Sequence, residues 1–245
     1  AAAVLSIPIL IKQHQLVFRL NFNLLALALA AGITNVAFVV ALIEGEVMRV
    51  MLLFYLSPKW TVLLGRWWLK ETLSESAIAM FVVAMLGSAI MLWNPEMGLP
   101  WPSGPADWLA LVAGIAFSVN NVLIRKLASL PMTIKTTFVW WGVVAVSLLA
   151  ISWQQVPVPI VSATVWLNAW LLGWLAIVVV TISVLYGVAK MPVYRSAVIM
   201  LFELVVAALS AWALTEEIMS LQEWIGGILI LLAAYGVARI TLNDV

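Results

Sequence analysis

The chain has 245 residues, 65% hydrophobic and only 9% charged, and its mean hydropathy of +1.14 is far above what a water-soluble domain keeps in solution. It contains no cysteine and one histidine, His14, which excludes disulfides, thiolate nucleophiles and thiolate metal sites and leaves no basis for a histidine metal cluster or a serine–histidine dyad. A net charge of +1 gives no electrostatic reason to expect nucleic acid or an acidic partner, so the composition describes an all-α polytopic membrane protein whose first partner is the lipid bilayer.

A membrane span needs about 20 mostly apolar residues. On that rule an apolar stub, Ala1 to Ile11, is followed by eight predicted helices: Leu20 to Ile43, Val47 to Leu69, Ser74 to Trp93, Asp107 to Leu127, Thr133 to Trp153, Val165 to Ala189, Val193 to Leu214 and Leu221 to Thr241. The longest connection, NPEMGLPWPSGPAD from Asn94 to Asp107, is rich in proline and glycine. It separates an N-terminal repeat, residues 1–93, from a C-terminal one, residues 107–245, with 94–106 as an extracytoplasmic connection.

Lysine and arginine set the orientation, because they favour the cytoplasmic side. Lys12 and Arg19, Arg66 and Lys70, Arg125, Lys126 and Lys135, Lys190 and Arg195, and finally Arg239 fall at alternate connections. The intervening connections carry Glu44 and Glu46, Glu96 and Asp107, Gln154 and Gln155, then Glu216, Glu217 and Glu223, with Arg49 the base nearby. The pattern predicts a cytoplasmic C-terminus.

A shift of 146 residues superposes Val47 on Val193, Arg49 on Arg195, Leu63 on Leu209, Glu71 on Glu217, Ser74 on Ser220 and Leu86 on Leu232. Helix boundaries superpose without a gap, and the charge pattern places the two copies in opposite orientations, the layout of an inverted repeat. Ala1 then falls on Ser147, in the middle of a helix. The expectation is a ten-helix parent lacking here its first helix and about half of its second; an eight-span protein with a short re-entrant start is the alternative.

The stretches FYLSPKW (Phe54 to Trp60), WWLKETLS (Trp67 to Ser74) and YGVAKMPVYRSAVIMLFELVVAALSAWALTEEIMSLQEWIGGILIL (Tyr186 to Leu231) resemble the EamA-type branch of the drug/metabolite transporter superfamily. The resemblance covers essentially the whole chain. It implies two inverted five-helix repeats, a substrate cavity between them near the midplane, and alternating access. The sequence departs from the family pattern in two places: Glu203-Leu204 stands where many relatives have Glu-Pro, and Lys59 where many have an apolar residue.

Lys59 and Glu203 are the charges placed deep in the hydrocarbon, where a lysine costs about 2.5 to 3.5 kcal/mol on insertion scales and needs a partner or a watery cavity. Under the shift Lys59 meets Val205, so the expectation is a cavity-facing Lys59 paired with Glu203 across the repeats; a static pair, or a Lys59 that snorkels and never meets Glu203, is the plainer reading. Tyr55, one turn before Lys59, is the expected aromatic neighbour, and Trp60 is a further candidate. Asn35, Asn120, Asn121 and Tyr186 are candidate cavity-lining groups, with Thr181 and Ser183 beside them, although such residues often only bond neighbouring helices. Trp67, Trp68, Trp93, Trp101, Trp108, Trp153, Trp166 and Trp224 lie near helix ends, as an interfacial belt requires. Glu71 and Glu217 end matching helices, where capping is expected.

No phosphate loop, catalytic carboxylate pair or metal-ligand spacing appears in the sequence; no enzyme activity and no cofactor are expected. The reading is a secondary transporter of the bacterial inner membrane that exports a small metabolite or drug-like solute, an amino acid or another amphiphilic compound. The alternative is a non-transporting subunit packed in a larger membrane complex; a second copy of the chain is the other candidate partner.

Overall fold

The structure, a computed structural model, describes residues 2–8, 22–95, 101–155, 157, 159–214 and 219–240. Lys12, His14, Arg19, Glu96, Glu216 and Glu217 lie outside the described residues.

A single helical turn, α1 (Ala2–Leu5), precedes α2 (Phe22–Glu44), α3 (Val47–Phe54), α4 (Ser57–Trp68) and α5 (Glu75–Leu92). The second half holds α6 (Pro105–Lys126), α7 (Met132–Gln154), α8 (Ala163–Leu172), a π-helical segment (Gly173–Ile177), α9 (Val178–Lys190), α10 (Val193–Met200), α11 (Phe202–Leu214) and α12 (Leu221–Arg239). Among the described residues eight segments are long and apolar enough to cross a bilayer, with α3 and α4, α8 and α9, and α10 and α11 each forming one span. The expected all-α polytopic architecture is therefore present.

Helix starts follow the capping chemistry of the sequence. Ser74 accepts from the Ala77 N–H at 3.3 Å. Ser220 accepts from the Glu223 N–H at 3.2 Å while the Glu223 carboxylate accepts from the Ser220 N–H at 2.7 Å, a reciprocal pair that satisfies two orphan donors.

Three expected single helices are interrupted. Between α3 and α4 the cause is covalent: Pro58 has no N–H for the Phe54 carbonyl, and the chain passes through Tyr55 and Leu56 on tighter bonds, Leu56 N–H to Leu53 O at 3.3 Å and Lys59 N–H to Leu56 O at 3.1 Å. Between α10 and α11 there is no proline, yet Leu201 N–H bonds to Val198 O at 3.2 Å and Leu204 N–H to Leu201 O at 3.1 Å. The third interruption is the π-helical segment within the span from Ala163 to Lys190.

Without a hydrophobic drive between helices in lipid, packing depends on small residues that let backbones approach. The α5–α12 pair crosses at Gly87 and Gly226, where a Cβ on Gly226 would stand 2.5 Å from the Gly87 carbonyl oxygen. One core joins Leu52 and Tyr55 to Ala84, Val198, Leu201 and Ile230; a second joins α2, α6, α7 and α9 through Leu27, Ile124, Trp140 and Leu185. Helix α6 runs between them and touches α2, α3, α4 and α9. Trp67, Trp101, Trp108, Trp153, Trp166 and Trp224 are exposed, as a belt at helix ends requires. Lys135, assigned above to a connection, is instead in the first turn of α7 and only 1% exposed.

Candidate functional site

The break after α3 is where α6 comes closest. A Cβ on Gly114 would lie 2.9 Å from the Phe54 carbonyl oxygen, so only glycine lets the two backbones meet there. One turn on, the buried Ser118 hydroxyl lies 2.8 Å from both the Ser57 and Gly114 carbonyl oxygens. These contacts tie the interrupted helix to α6 and hold the break open to one side.

On that side is a cavity of about 20 Å³, room for about one water. Phe54, Tyr55, Ser57, Pro58 and Thr61 line it from α3–α4, Phe117 and Asn121 from α6, and Ala197, Met200, Leu201 and Glu203 from α10–α11. Both interrupted helices thus present their breaks to the same space. Tyr55 and Glu203 both line it, the Tyr55 hydroxyl within electrostatic reach of the carboxylate. Glu203 occupies the first turn of α11, where the helix dipole favours a negative charge. Phe54 supplies an aromatic wall, its ring 5.5 Å from Phe117 and 5.6 Å from Tyr55. Asn121 is 2% exposed, its amide nitrogen has only the distant Met200 sulfur at 3.9 Å, and its Oδ1 has no hydrogen-bond partner.

Lys59 does not join this group. It is exposed, does not line the cavity, and no ion pair links it to Glu203 among the described residues; its Nζ lies 5.5 Å from the Trp60 ring centroid. The reason is helical phase. Ser57 and Lys59 are two residues apart, about 200° around a helix, and the buried face of α4 is Ser57, Pro58, Thr61 and Gly65. Under the shift of 146 residues Glu203 corresponds to Ser57, not to Lys59. Tyr55 does not share a face with Lys59 either, because the four-residue rule fails across the break between them.

The remaining candidates disperse. Asn35 bonds to the Ala31 carbonyl at 3.1 Å and lines two other openings beside α7; Thr181 lines one of them. Asn120 is buried with an unpartnered Oδ1 but does not line the Glu203 cavity. Tyr186 is exposed under the Lys190 ammonium, 5.7 Å away. Trp60 is half-buried with an unpartnered indole nitrogen. Sequence reasoning missed Ser57, Thr61 and Phe117; the four-residue spacing of Ser57 and Thr61 around Pro58 was the available signal.

Each end of α6 carries an ionic cluster. At one end Arg49 stands 3.9 Å from Asp107 and 3.7 Å from Glu46, and donates to the Ser103 hydroxyl at 3.1 Å. At the other, Glu71 stands 3.7 Å from Arg125, accepts from the Val193 N–H at 2.9 Å and so caps α10, while Arg125 donates to the Ala189 carbonyl at 2.9 Å. Lys70, in the left-handed region at φ 56, turns the chain so that Glu71 N–H reaches back to Gly65 O at 3.3 Å. Burial lifts the Glu71 carboxyl above its ordinary range, and the Val193 amide and Arg125 only partly offset this.

The fold and the cavity define a class: a polytopic helical membrane protein in which two interrupted helices meet at a small cavity within the spans. A family model described as the EamA-like transporter family matches residues 104–239, and the chain belongs to that family, within the drug/metabolite transporter superfamily. A solved structure, titled only as a crystal structure of a protein, shares the fold with a TM-score of 0.75 at 18% identity, over 96% of this chain and 83% of that one. No curated protein matches the sequence.

Proposed function

We propose that the chain is a secondary transporter that moves a small organic solute, an amino acid or another amphiphilic metabolite or drug-like compound, out of the bacterial cytoplasm by alternating access. The observation that carries this reading is the convergence of two helix breaks, Tyr55–Leu56 and Leu201, on one cavity holding Tyr55, Asn121 and Glu203. Irregular backbone at membrane depth is tolerated where it lines such a cavity, and an exposed carboxylate within a span calls for water or a ligand around it.

The two breaks also support an inverted-repeat organisation, with residues 1–93 and 107–245 as the two units and the C-terminus in the cytoplasm. Under the shift of 146 residues, α3 (Val47–Phe54) maps onto α10 (Val193–Met200) end to end. Rocking of one unit against the other would open the cavity alternately to the Glu71–Arg125 end and to the Arg49–Asp107 end.

Flux from proteoliposomes loaded with a broad metabolite panel tests the proposal. Solute-specific flux that disappears in Glu203→Gln and persists in Lys59→Ala supports it; absence of flux for every member contradicts it. The second reading, a non-transporting subunit of a membrane complex, draws on the span Ala163–Lys190, of which 11% is buried against 28 to 50% in the others. Stable copurification of a partner protein together with absent flux would favour it.

A further inference from the structure

We infer that the cavity at the two helix breaks takes a protonated amine carried on an aromatic or aliphatic body. The inference rests on the transporter reading for the location of the site and goes further in naming what enters it. The lining contains one acid, Glu203, and no lysine, arginine or histidine among the described residues. Lys59, the nearest candidate cation in sequence, points away from it.

The uncharged polar groups favour the same ligand. Asn121 is nine-tenths buried and more, lines the cavity, and leaves its Oδ1 without a donor. A buried acceptor left unmade is costly, and a ligand N–H supplies what it lacks. The Glu203 carboxylate lines the cavity and has two oxygens that can accept from more than one donor. Ser57 and Thr61 add hydroxyl oxygens on the α4 side. Around these acceptors Phe54, Tyr55 and Phe117 line the cavity and bring aromatic rings, a group that attracts ammonium and covers a ring or alkyl body.

An anionic ligand fits poorly. At the helix breaks the amides of Leu56, Lys59, Leu201 and Leu204 bond to carbonyls three residues back, so these four are not free to hold a carboxylate as half-helix termini do. A free amino acid would bring its carboxylate beside Glu203 with no lining cation to balance it. The inference therefore narrows the solute from amphiphilic compounds at large to amines that lack an acid. A volume of about 20 Å³ is too small for such a ligand, so binding requires α3–α4 and α10–α11 to separate.

The test is equilibrium binding to the whole chain in lipid nanodiscs at neutral pH, using three probes with one aromatic body: phenethylamine, phenylalanine and 3-phenylpropionate. Phenethylamine is expected to bind at least about tenfold more tightly than either of the others, and Glu203→Gln and Asn121→Leu are each expected to weaken it by about tenfold. Equal or tighter binding of phenylalanine or 3-phenylpropionate, or no binding of phenethylamine, overturns the inference even if neither variant folds. Unchanged phenethylamine binding in both folded variants overturns it as well. Because the readout is binding, failure here with metabolite flux intact removes the amine and leaves the transporter; loss of flux across the whole panel removes the transporter itself.

Discussion

Two of the three interrupted spans meet at one cavity but are broken for different reasons. In the first, Pro58 withholds the N–H that the Phe54 carbonyl needs, and Gly114 and Ser118 of α6 dock onto the gap. In the second no residue forbids a continuous helix through Leu201, and the bend accompanies the contact of Glu203 with Tyr55. The first break is written in covalent chemistry and the second in tertiary context. Their charged residues diverge in the same way: both are exposed, but Glu203 at the bend lines the cavity, whereas Lys59, two residues beyond Ser57, does not.

The contrast breaks most completely at the α6 contact. Gly114→Leu forces a side chain against the Phe54 carbonyl and is expected to destabilise the protein by about 3 kcal/mol, at the upper end of the overpacking range. Thermal unfolding in detergent measures this, and a control substitution at the exposed Leu63, Leu63→Met, should leave the midpoint unchanged. An equally stable Gly114→Leu protein would mean that α6 does not hold the first break.

The next largest effect concerns the charges. Glu203→Gln removes a charged hydrogen-bond acceptor from the cavity and is expected to lower transport by about ten- to a hundredfold, while Lys59→Ala stays within about twofold. Initial flux rates decide this, and equal losses in the two variants would restore Lys59 to the site.

This pair of residues shows how far the sequence could be read. The eight spans, their caps at Ser74 and Ser220, and the correspondence of α3 with α10 are consequences of composition, capping chemistry and repeat spacing, all local enough to read directly. Lys59 turns on phase: the shift places Ser57 opposite Glu203, and the depth of a charge along a span does not say which way it faces around the helix. Asn121 is legible as a polar residue within an apolar span, and Tyr55 lines the cavity although the same-face relation to Lys59 that singled it out does not hold; Phe117 is hidden because one more aromatic among apolar residues carries no signal. The interruption at Leu201 has no sequence mark at all. Lys135 was misplaced because the positive-inside pattern treats every terminal lysine as solvent-exposed.

A smaller effect separates the two ends of α6. Glu71→Ala leaves the Val193 amide and Arg125 without their acceptor and is expected to cost about 1 to 3 kcal/mol, whereas Glu71→Gln keeps an acceptor for the amide. Burial holds the native Glu71 carboxyl above its unfolded value of 4.5, so its contribution to stability is fully present below that pH and is lost as pH rises through the folded value. Unfolding midpoints across that range should therefore fall for the native protein relative to Glu71→Gln as pH increases; a rise would mean that the Arg125 pair outweighs desolvation. The smallest change is Lys70→Gly, which relieves the left-handed backbone at φ 56. The expected gain is about 0.5 to 1 kcal/mol, read from the same unfolding curves, and a loss would show that the Lys70 side chain matters more than its backbone.

The absence of cysteine in the native chain makes the most direct test of the central claim a clean one. Single-cysteine variants Ser57→Cys and Lys59→Cys are labelled with a thiol reagent in proteoliposomes, with and without a solute shown to be carried. The account predicts that solute protects Ser57→Cys from labelling and leaves Lys59→Cys unaffected. Protection of Lys59→Cys with none at Ser57→Cys would contradict it.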